Sequence, residues 1–273
     1  CVVGLCVDVV RVRAGISAAT LGLRRNHWDA LALLSEWGVP VCGVFLESFC
    51  EYEPSFARLC AEKKGAVKAH SVHVLNTQFE PQLYAEHPRV VGDAFSLLSR
   101  TMECANILGA KHYTFHGVAR IKRTYRENLV RSGKQTQKIA KACEKSGVSL
   151  CYENVEWALY NRPGVFSVLK EYCPTLRGVL DLKQARITGY DYFDYLKEMG
   201  ASLSHVHVSD ITAEGKLCLP GKGVTDFPLL LKRLRDAGFD GPLLIENYSG
   251  DFGEEDELKA SFEWLSDTIE HNQ

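Results

Sequence analysis

Two hydrophobic periods trade places along this chain. Short runs that are apolar at nearly every position recur at residues 2–9, 41–46, 66–74, 111–115, 149–152, 176–180, 203–208 and 242–245. Strands buried on both faces read this way, because a parallel sheet covered by helices leaves no face for polar residues. Between the runs the period lengthens to that of a helix. Phe95, Leu98, Met102, Ala105 and Leu108 recur at steps of three and four until Gly109 stops them. Further helices are predicted over residues 126–145, closing at Ser146-Gly147, and over 254–269, opening after Ser249-Gly250-Asp251-Phe252-Gly253.

Eight strands alternating with helices over 273 residues allot about 34 residues to each unit, and a closed barrel of eight such units takes about 250 in all. The rival is a doubly wound open sheet, which would carry Gly-x-Gly-x-x-Gly after its first strand. Here Gly4 stands alone before Leu5-Cys6-Val7-Asp8. No linker, repeat or low-complexity tract divides the chain, so the expectation is an α/β fold, a single (β/α)8 TIM barrel domain over residues 1–273.

Several runs end on a residue that carries chemistry: Glu153 in Tyr-Glu-Asn, Asp181 in Val-Leu-Asp, His207 in His-Val-His and Glu246 in Leu-Ile-Glu. The C-terminal strand ends of such a barrel converge on one mouth, where active sites are built. A lone strand-end charge is as readily an ordinary solvated one, but four such residues closing consecutive strands imply a common cause. Three carboxylates and an imidazole form an oxygen-rich set suited to one divalent ion, Mn, Mg or Co, with Zn also compatible. His73 and His116 close the third and fourth strands and can face the same mouth, to bind substrate or a second metal; the alternative is a histidine satisfied by backbone carbonyls. His205, two residues before His207, reads as a packed group one layer deeper. Glu47 closes the second run and is a further candidate for substrate contact.

Composition narrows the class. A hydrophobic fraction of 46% with 24% charged residues is that of a globular protein with a substantial core, and no run approaches the roughly 18 apolar residues of a membrane span. The first residues, Cys1-Val-Val-Gly-Leu-Cys, lack a basic flank and a cleavage signal, so no secretory peptide is expected. Ten cysteines are scattered without a Cys-x-x-Cys pair, as small buried hydrophobes of a reducing cytoplasm would be. A net charge of −2 with both signs interspersed gives no general attraction for nucleic acid. Assembly into a homo-oligomer is compatible with this composition and not specified by it.

Taken in order, Ser-Val-His73, Phe-His116-Gly, Glu153-Asn154, Leu-Asp181, His207-Val-Ser-Asp210, Pro220-Gly221-Lys222-Gly223 and Ile-Glu246 give a chain that resembles the xylose isomerase-like TIM-barrel superfamily over nearly its whole length. That superfamily includes sugar and sugar-phosphate isomerases and epimerases, inosose dehydratases and the apurinic-site nuclease endonuclease IV. Resemblance to its ketose 3-epimerases implies one divalent metal (Mn, Co, Mg or Zn) held by Glu153, Asp181, His207 and Glu246. It also implies that Glu153 and Glu246 exchange protons with a carbohydrate whose enediolate the metal stabilises. Endonuclease IV-like relatives use three zinc ions, toward which His73, His116, Glu153, Asp181, His207 and Glu246 would correspond. Gln184 stands where that family has a histidine, however, and Gly-Lys-Leu-Cys replaces its Asp-x-His before the Pro-Gly-x-Gly loop. A trinuclear site is therefore not expected, and the near-neutral charge agrees.

Gln184 also departs from the epimerases, which keep a histidine there; a glutamine can hydrogen-bond but cannot titrate. Lys183 or Lys216 can meet a carboxylate or phosphate of the substrate, the alternative for each being a solvated loop lysine. The loop from Leu219 to Gly223 can offer backbone amides to a phosphate, or be an ordinary turn. Trp157, Tyr160 and Arg162 can stack on and hydrogen-bond a sugar, or simply pack their loop. The resemblance thus implies a metal-dependent isomerase or epimerase of a sugar, sugar phosphate or related polyol ketone. Its alternatives are an inosose-type dehydratase, an endonuclease IV-like nuclease, and a barrel that binds carbohydrate without turnover.

Overall fold

Strands that are apolar on both faces need helices outside and side chains from other strands inside, and closing the sheet on itself supplies both. The computed structural model describes residues 12–75, 78–120 and 127–272. Its barrel strands are β1 (Ala14–Ser17), β2 (Val41–Leu46), β3 (Lys68–Val74), β4 (His112–Phe115), β5 (Ser149–Glu153), β6 (Arg177–Asp181), β7 (Leu203–Val208) and β8 (Leu243–Ile245). They close in the order β1-β8-β7-β6-β5-β4-β3-β2, every neighbour parallel. This is the (β/α)8 barrel that the alternation of periods predicts.

The first strand needs a correction. Residues 2–9 lie outside the described residues, and the strand that seals the barrel is Ala14–Ser17, which pairs Ala14 with Leu243 and Ile16 with Cys42. Its four residues, Ala-Gly-Ile-Ser, form no apolar run. Gly15 is there because the sheet is tight: a Cβ would collide with the Val41 carbonyl oxygen and with the Leu244 side chain.

The helices are α1 (His27–Glu36), α2 (Pro54–Lys63), α3 (Pro88–Leu108), α4 (Leu129–Glu144), α5 (Val165–Tyr172), α6 (Leu182–Thr188), α7 (Tyr192–Met199), α8 (Phe227–Asp236) and α9 (Glu255–His271). In α3 the predicted stripe is the buried one, with Leu98, Met102, Ala105 and Leu108 in the core and Phe95 half-buried. Gly109 ends it at φ 78°, a left-handed conformation that costs glycine nothing. Helix α4 starts where the Asn128 side chain accepts a hydrogen bond from Arg131 N at 2.9 Å, three residues after the predicted start. After β7 a small antiparallel hairpin pairs Asp210–Ile211 with Leu217–Cys218. The eight described cysteines are free, and all but Cys50 are buried. No helix among the described residues is long and apolar enough to cross a membrane.

Candidate active site

Strand register decides what meets at the C-terminal mouth. Asp181 is the partner of His207 across β6 and β7, Glu153 ends β5 beside Val179, and Glu246 follows Ile245, which lies beside Val208. Glu153, Asp181, His207 and Glu246 are all buried, and each offers one ligand atom within 4.8 Å of all the others. His207 Nδ1 lies 2.7 Å from Glu153 Oε1, 3.4 Å from Glu246 Oε2 and 3.9 Å from Asp181 Oδ2. Asn154 braces the strand ends: its side-chain oxygen accepts from Asp181 N at 2.8 Å and its amide donates to Asp181 O at 3.0 Å. Asp181 Oδ1 caps α6 by accepting from Gln184 N at 2.8 Å, which leaves Oδ2 toward the cluster.

Burial opposes every charge here, so the charges persist only through one another. Burial pushes Glu153 and Glu246 up, but their neighbours together reverse this and hold both below the usual carboxylate range: His207 and then His116 for Glu153, and His207, His73 and Lys183 for Glu246. His207 is the complement: burial pulls it down, while Glu246 and Glu153 push it up to about 9. For Asp181 burial wins, raising it to about 6 against the pull of Lys183. The Lys183 ammonium sits 3.6 Å from Asp181 Oδ2 and 3.9 Å from Glu246 Oε1; burial lowers its pKa, and these two carboxylates more than restore it.

Three carboxylates thus gather around His207 and the Lys183 ammonium, with the rings of His73 and His116 at their edge, and Glu246 Oε2 is buried without a hydrogen bond. A donor set of carboxylate oxygens and one imidazole nitrogen, with a buried carboxylate oxygen that makes no hydrogen bond, fits a divalent cation.

Above the cluster opens a cavity of about 630 Å³ whose lining includes Glu47, His73, His116, Trp157, Lys183 and Gln184. His73 Nε2 and His116 Nε2 share a hydrogen bond at 2.8 Å, His116 Nε2 lies 3.3 Å from Glu153 Oε2, and His73 Nδ1 is 3.7 Å from Glu246 Oε2. Lys183 is buried rather than solvated, packed 4.4 Å from the Tyr248 ring. Gln184 accepts from Glu156 N at 3.1 Å, with its NH2 3.5 Å from the Tyr248 hydroxyl. The Trp157 ring lies 5.4 Å from that of His116.

Other candidates fall elsewhere. Lys216 is exposed in the turn of the small hairpin, outside the cavity lining, because Thr212 N and Lys216 O pair at 2.8 Å and turn the segment outward at Gly215. Tyr160 is buried and donates to Glu198 at 2.6 Å, while Arg162 pairs with Glu127 at 2.6 Å. The loop amides offered to a phosphate are already engaged: Gly221, Gly223 and Thr225 donate them to the Asp210 carboxylate at 3.2, 3.0 and 3.0 Å. His205 is packed, 3.0 Å from Thr114 Oγ1.

Glu80 is the residue that sequence reasoning missed. It opens a short 3-10 turn (Glu80–Tyr84) after β3 and is fully buried. Its carboxylate accepts from the Tyr113 hydroxyl at 2.7 Å, His116 N at 2.9 Å and Gly117 N at 3.2 Å, and it faces His116 Nδ1 at 3.1 Å. Burial lowers the pKa of His116, and Glu80 more than compensates. A carboxylate at Nδ1 fixes the ring and leaves Nε2 for the cavity. Phe79-Glu80-Pro81 carries no periodicity or motif that would have marked this role.

Over residues 31–268 the sequence matches the family described as xylose isomerase-like TIM barrel. The chain belongs to that family. No curated protein matches it by sequence. Among solved structures it is similar to a D-tagatose 3-epimerase-like protein, at 18% identity and a TM-score of 0.78 over 96% of this chain and 98% of that one. It is similar also to D-psicose 3-epimerase from Clostridium cellulolyticum H10, at 14% identity and a TM-score of 0.75 over 96% and 98% of the two chains. A third is the 3-keto-D-glucoside 4-epimerase of E. coli, at 14% identity and a TM-score of 0.68 over 93% and 99%. At these identities the likeness is one of fold.

Proposed function

We propose that this barrel is a metal-dependent isomerase or epimerase of a small carbohydrate: a sugar, sugar phosphate or related polyol ketone. The observation that carries the reading is a pair of buried glutamates, Glu153 and Glu246, at 2.7 and 3.4 Å from His207 Nδ1 and lining a cavity, with Asp181 completing a four-residue donor set. Structural neighbours named as ketose 3-epimerases support it.

Glu153, Asp181, His207 and Glu246 are the residues that would hold the cation. When bound, a divalent ion supplies the positive charge that makes an enediolate accessible beside a carbonyl. The proton work falls to the chain itself. His207 and its neighbours hold the Glu153 and Glu246 carboxyls below the usual range, which favours the ionised state in which a carboxylate accepts a proton. One takes the proton from the carbon next to the substrate carbonyl and later releases it to solvent; the other first takes up a proton from solvent and then gives it to the opposite face, which inverts that carbon. Glu246 Oε2 makes no hydrogen bond, its nearest ring nitrogens being His207 Nδ1 at 3.4 Å and His73 Nδ1 at 3.7 Å. His116, aimed by Glu80, and His73 can donate to substrate oxygens, while Lys183 and Gln184 can bind the hydroxyl end from the other wall.

The test is exchange of solvent deuterium into a panel of ketoses, with and without chelator, repeated on Glu246→Gln. About one equivalent of metal per chain is expected, with exchange lost on chelation, restored by Mn or Co, and absent in the variant. Exchange that proceeds equally well in metal-free protein, or in Glu246→Gln, would refute the reading.

A further inference from the structure

The two ends of the barrel carry opposite chemistry. Carboxylates close β5 and β6 at the mouth, whereas the N-terminal ends of the same parallel strands and their neighbours gather cations and imidazoles. Lys68 begins β3 with His70 two residues on, His112 begins β4 and Arg177 begins β6. The His70 and His112 rings are stacked, 4.3 Å apart and 22° from parallel, and both residues are half-buried. Each ring has one nitrogen engaged: His70 Nε2 lies 3.4 Å from Ser204 Oγ, and His112 Nδ1 lies 3.6 Å from Cys151 Sγ. Neither His70 Nδ1 nor His112 Nε2 has a hydrogen-bond partner among the described residues.

Register brings a guanidinium to the same place. Arg177 lies beside Cys151 across β5 and β6, and its charge acts on the Cys151 thiol and on both rings. Its Nη2 donates to Leu203 O at 3.0 Å, but its Nε is buried and makes no hydrogen bond. A guanidinium does not shed its charge, and a buried charged donor left without an acceptor is costly. Among the described residues no carboxylate forms an ion pair with Lys68, His70, His112 or Arg177. Burial, and after it neighbouring positive charges that include Lys68 and Arg177, push both imidazoles down. A barrel end that only has to be filled takes branched apolar side chains. This end holds instead a set of donors that lacks an acceptor.

We propose that the N-terminal end of the barrel binds a tetrahedral oxyanion, sulfate or phosphate, held by Arg177, His112, His70 and Lys68. Arg177 Nε supplies a charge-assisted hydrogen bond. A neutral imidazole whose engaged nitrogen accepts from Ser204 or Cys151 carries its N–H on the other nitrogen, so each ring offers one further donor. Lys68 is exposed and adds a flexible charge from the solvent side. The site stands at the far end of the barrel from the carboxylate cluster and rests on nothing proposed for that cluster.

The experiment follows the imidazole resonances of the protein in magnesium buffer by NMR while sodium sulfate or, separately, sodium phosphate is added at an ionic strength held constant with sodium chloride. Saturable shifts, largest at His70 and His112, are expected. Arg177→Gln should weaken the affinity about tenfold or more, and Lys68→Ala about two- to fivefold. Saturation by only one of the two salts keeps the site and names its ligand. Shifts that rise without saturating, that spread evenly over the nine histidines, or that neither variant weakens overturn the site. If Arg177→Gln does not fold, Lys68→Ala decides, and an affinity unchanged in that variant overturns the proposal.

Discussion

His205 and His207 stand two residues apart on β7, point into the same barrel and are driven in opposite directions. His207 has Glu153, Asp181 and Glu246 around Nδ1 and is pushed up to about 9. His205 is held well below the ordinary imidazole value, by burial first and then by the neighbouring histidines. Its company is the His70 ring at 5.0 Å, itself stacked on His112 at 4.3 Å. Burial penalises both charges alike, so the neighbours decide the outcome. One layer of the barrel is built to gather charge, and the layer beneath fills space with neutral, hydrogen-bonded polar groups. This contrast can be attacked from either side.

The largest expected effect is chemical. Glu153→Gln should lower turnover by about 10²- to 10⁴-fold, whereas His205→Asn one layer down should cost less than about tenfold. Steady-state deuterium exchange checks both, and a comparable loss in the two variants would erase the distinction between the layers. Next is Lys183→Met, which strips the ammonium from Asp181 and Glu246. Removing one partner of a buried ionic cluster should destabilise the metal-free protein by about 3–5 kcal/mol. Added Mn should then stabilise the variant more than wild type in urea unfolding; equal gains would mean that Lys183 does not balance this cluster.

A pH series on chelated protein reads both layers together. His205, His70 and His112 have folded pKa values below the unfolded one, with His112 at about 4 and burial the main cause. Below about pH 6.5 the unfolded chain therefore binds protons that the fold refuses. Stability falls as pH falls, by up to about 1.4 kcal/mol per unit for each histidine. Asp181, raised from 3.8 to about 6, opposes this only between those two values, while Glu153 and Glu246, held below the usual carboxylate range, add to the acid loss. For His207 the sign reverses: its contribution is complete below about pH 6.5 and is lost as pH rises through about 9. Denaturant unfolding should show an acid limb that His112→Asn flattens, and an unaltered limb would mean that the lower layer does not titrate as described.

Glu80→Gln should cost about 1–3 kcal/mol of stability and reduce turnover through a misaligned His116, with the effect on kcat larger than that on KM. The smallest effect is expected of Lys216→Ala, within about 0.5 kcal/mol and with exchange unaltered, because its exposed turn lies outside the cavity.

The legible parts share a physical cause. A parallel strand buried on both faces must be a continuous apolar run, and that run must end where its first polar side chain leaves the core. Glu153, Asp181, His207 and Glu246 were therefore visible as strand ends before any coordinates. β1 was not, because Ala-Gly-Ile-Ser is short and selected for tight packing around Gly15 rather than for hydrophobicity. Glu80 was not, because a loop carboxylate is marked only by what it touches. Lys183 and Lys216 looked alike as loop lysines, and only the fold buried one and exposed the other.

By itself the sequence determined the periods of its elements, hence the barrel, and the residue type at each strand end. Those are local properties, set by which side chains can be buried along one short segment. The tertiary structure decided which ends share a register, which lysine is drawn in beside carboxylates, whose amides are engaged by Asp210, and which imidazole carries a proton. These depend on distances between groups far apart in sequence, and electrostatic free energy within a buried cluster is a function of those distances.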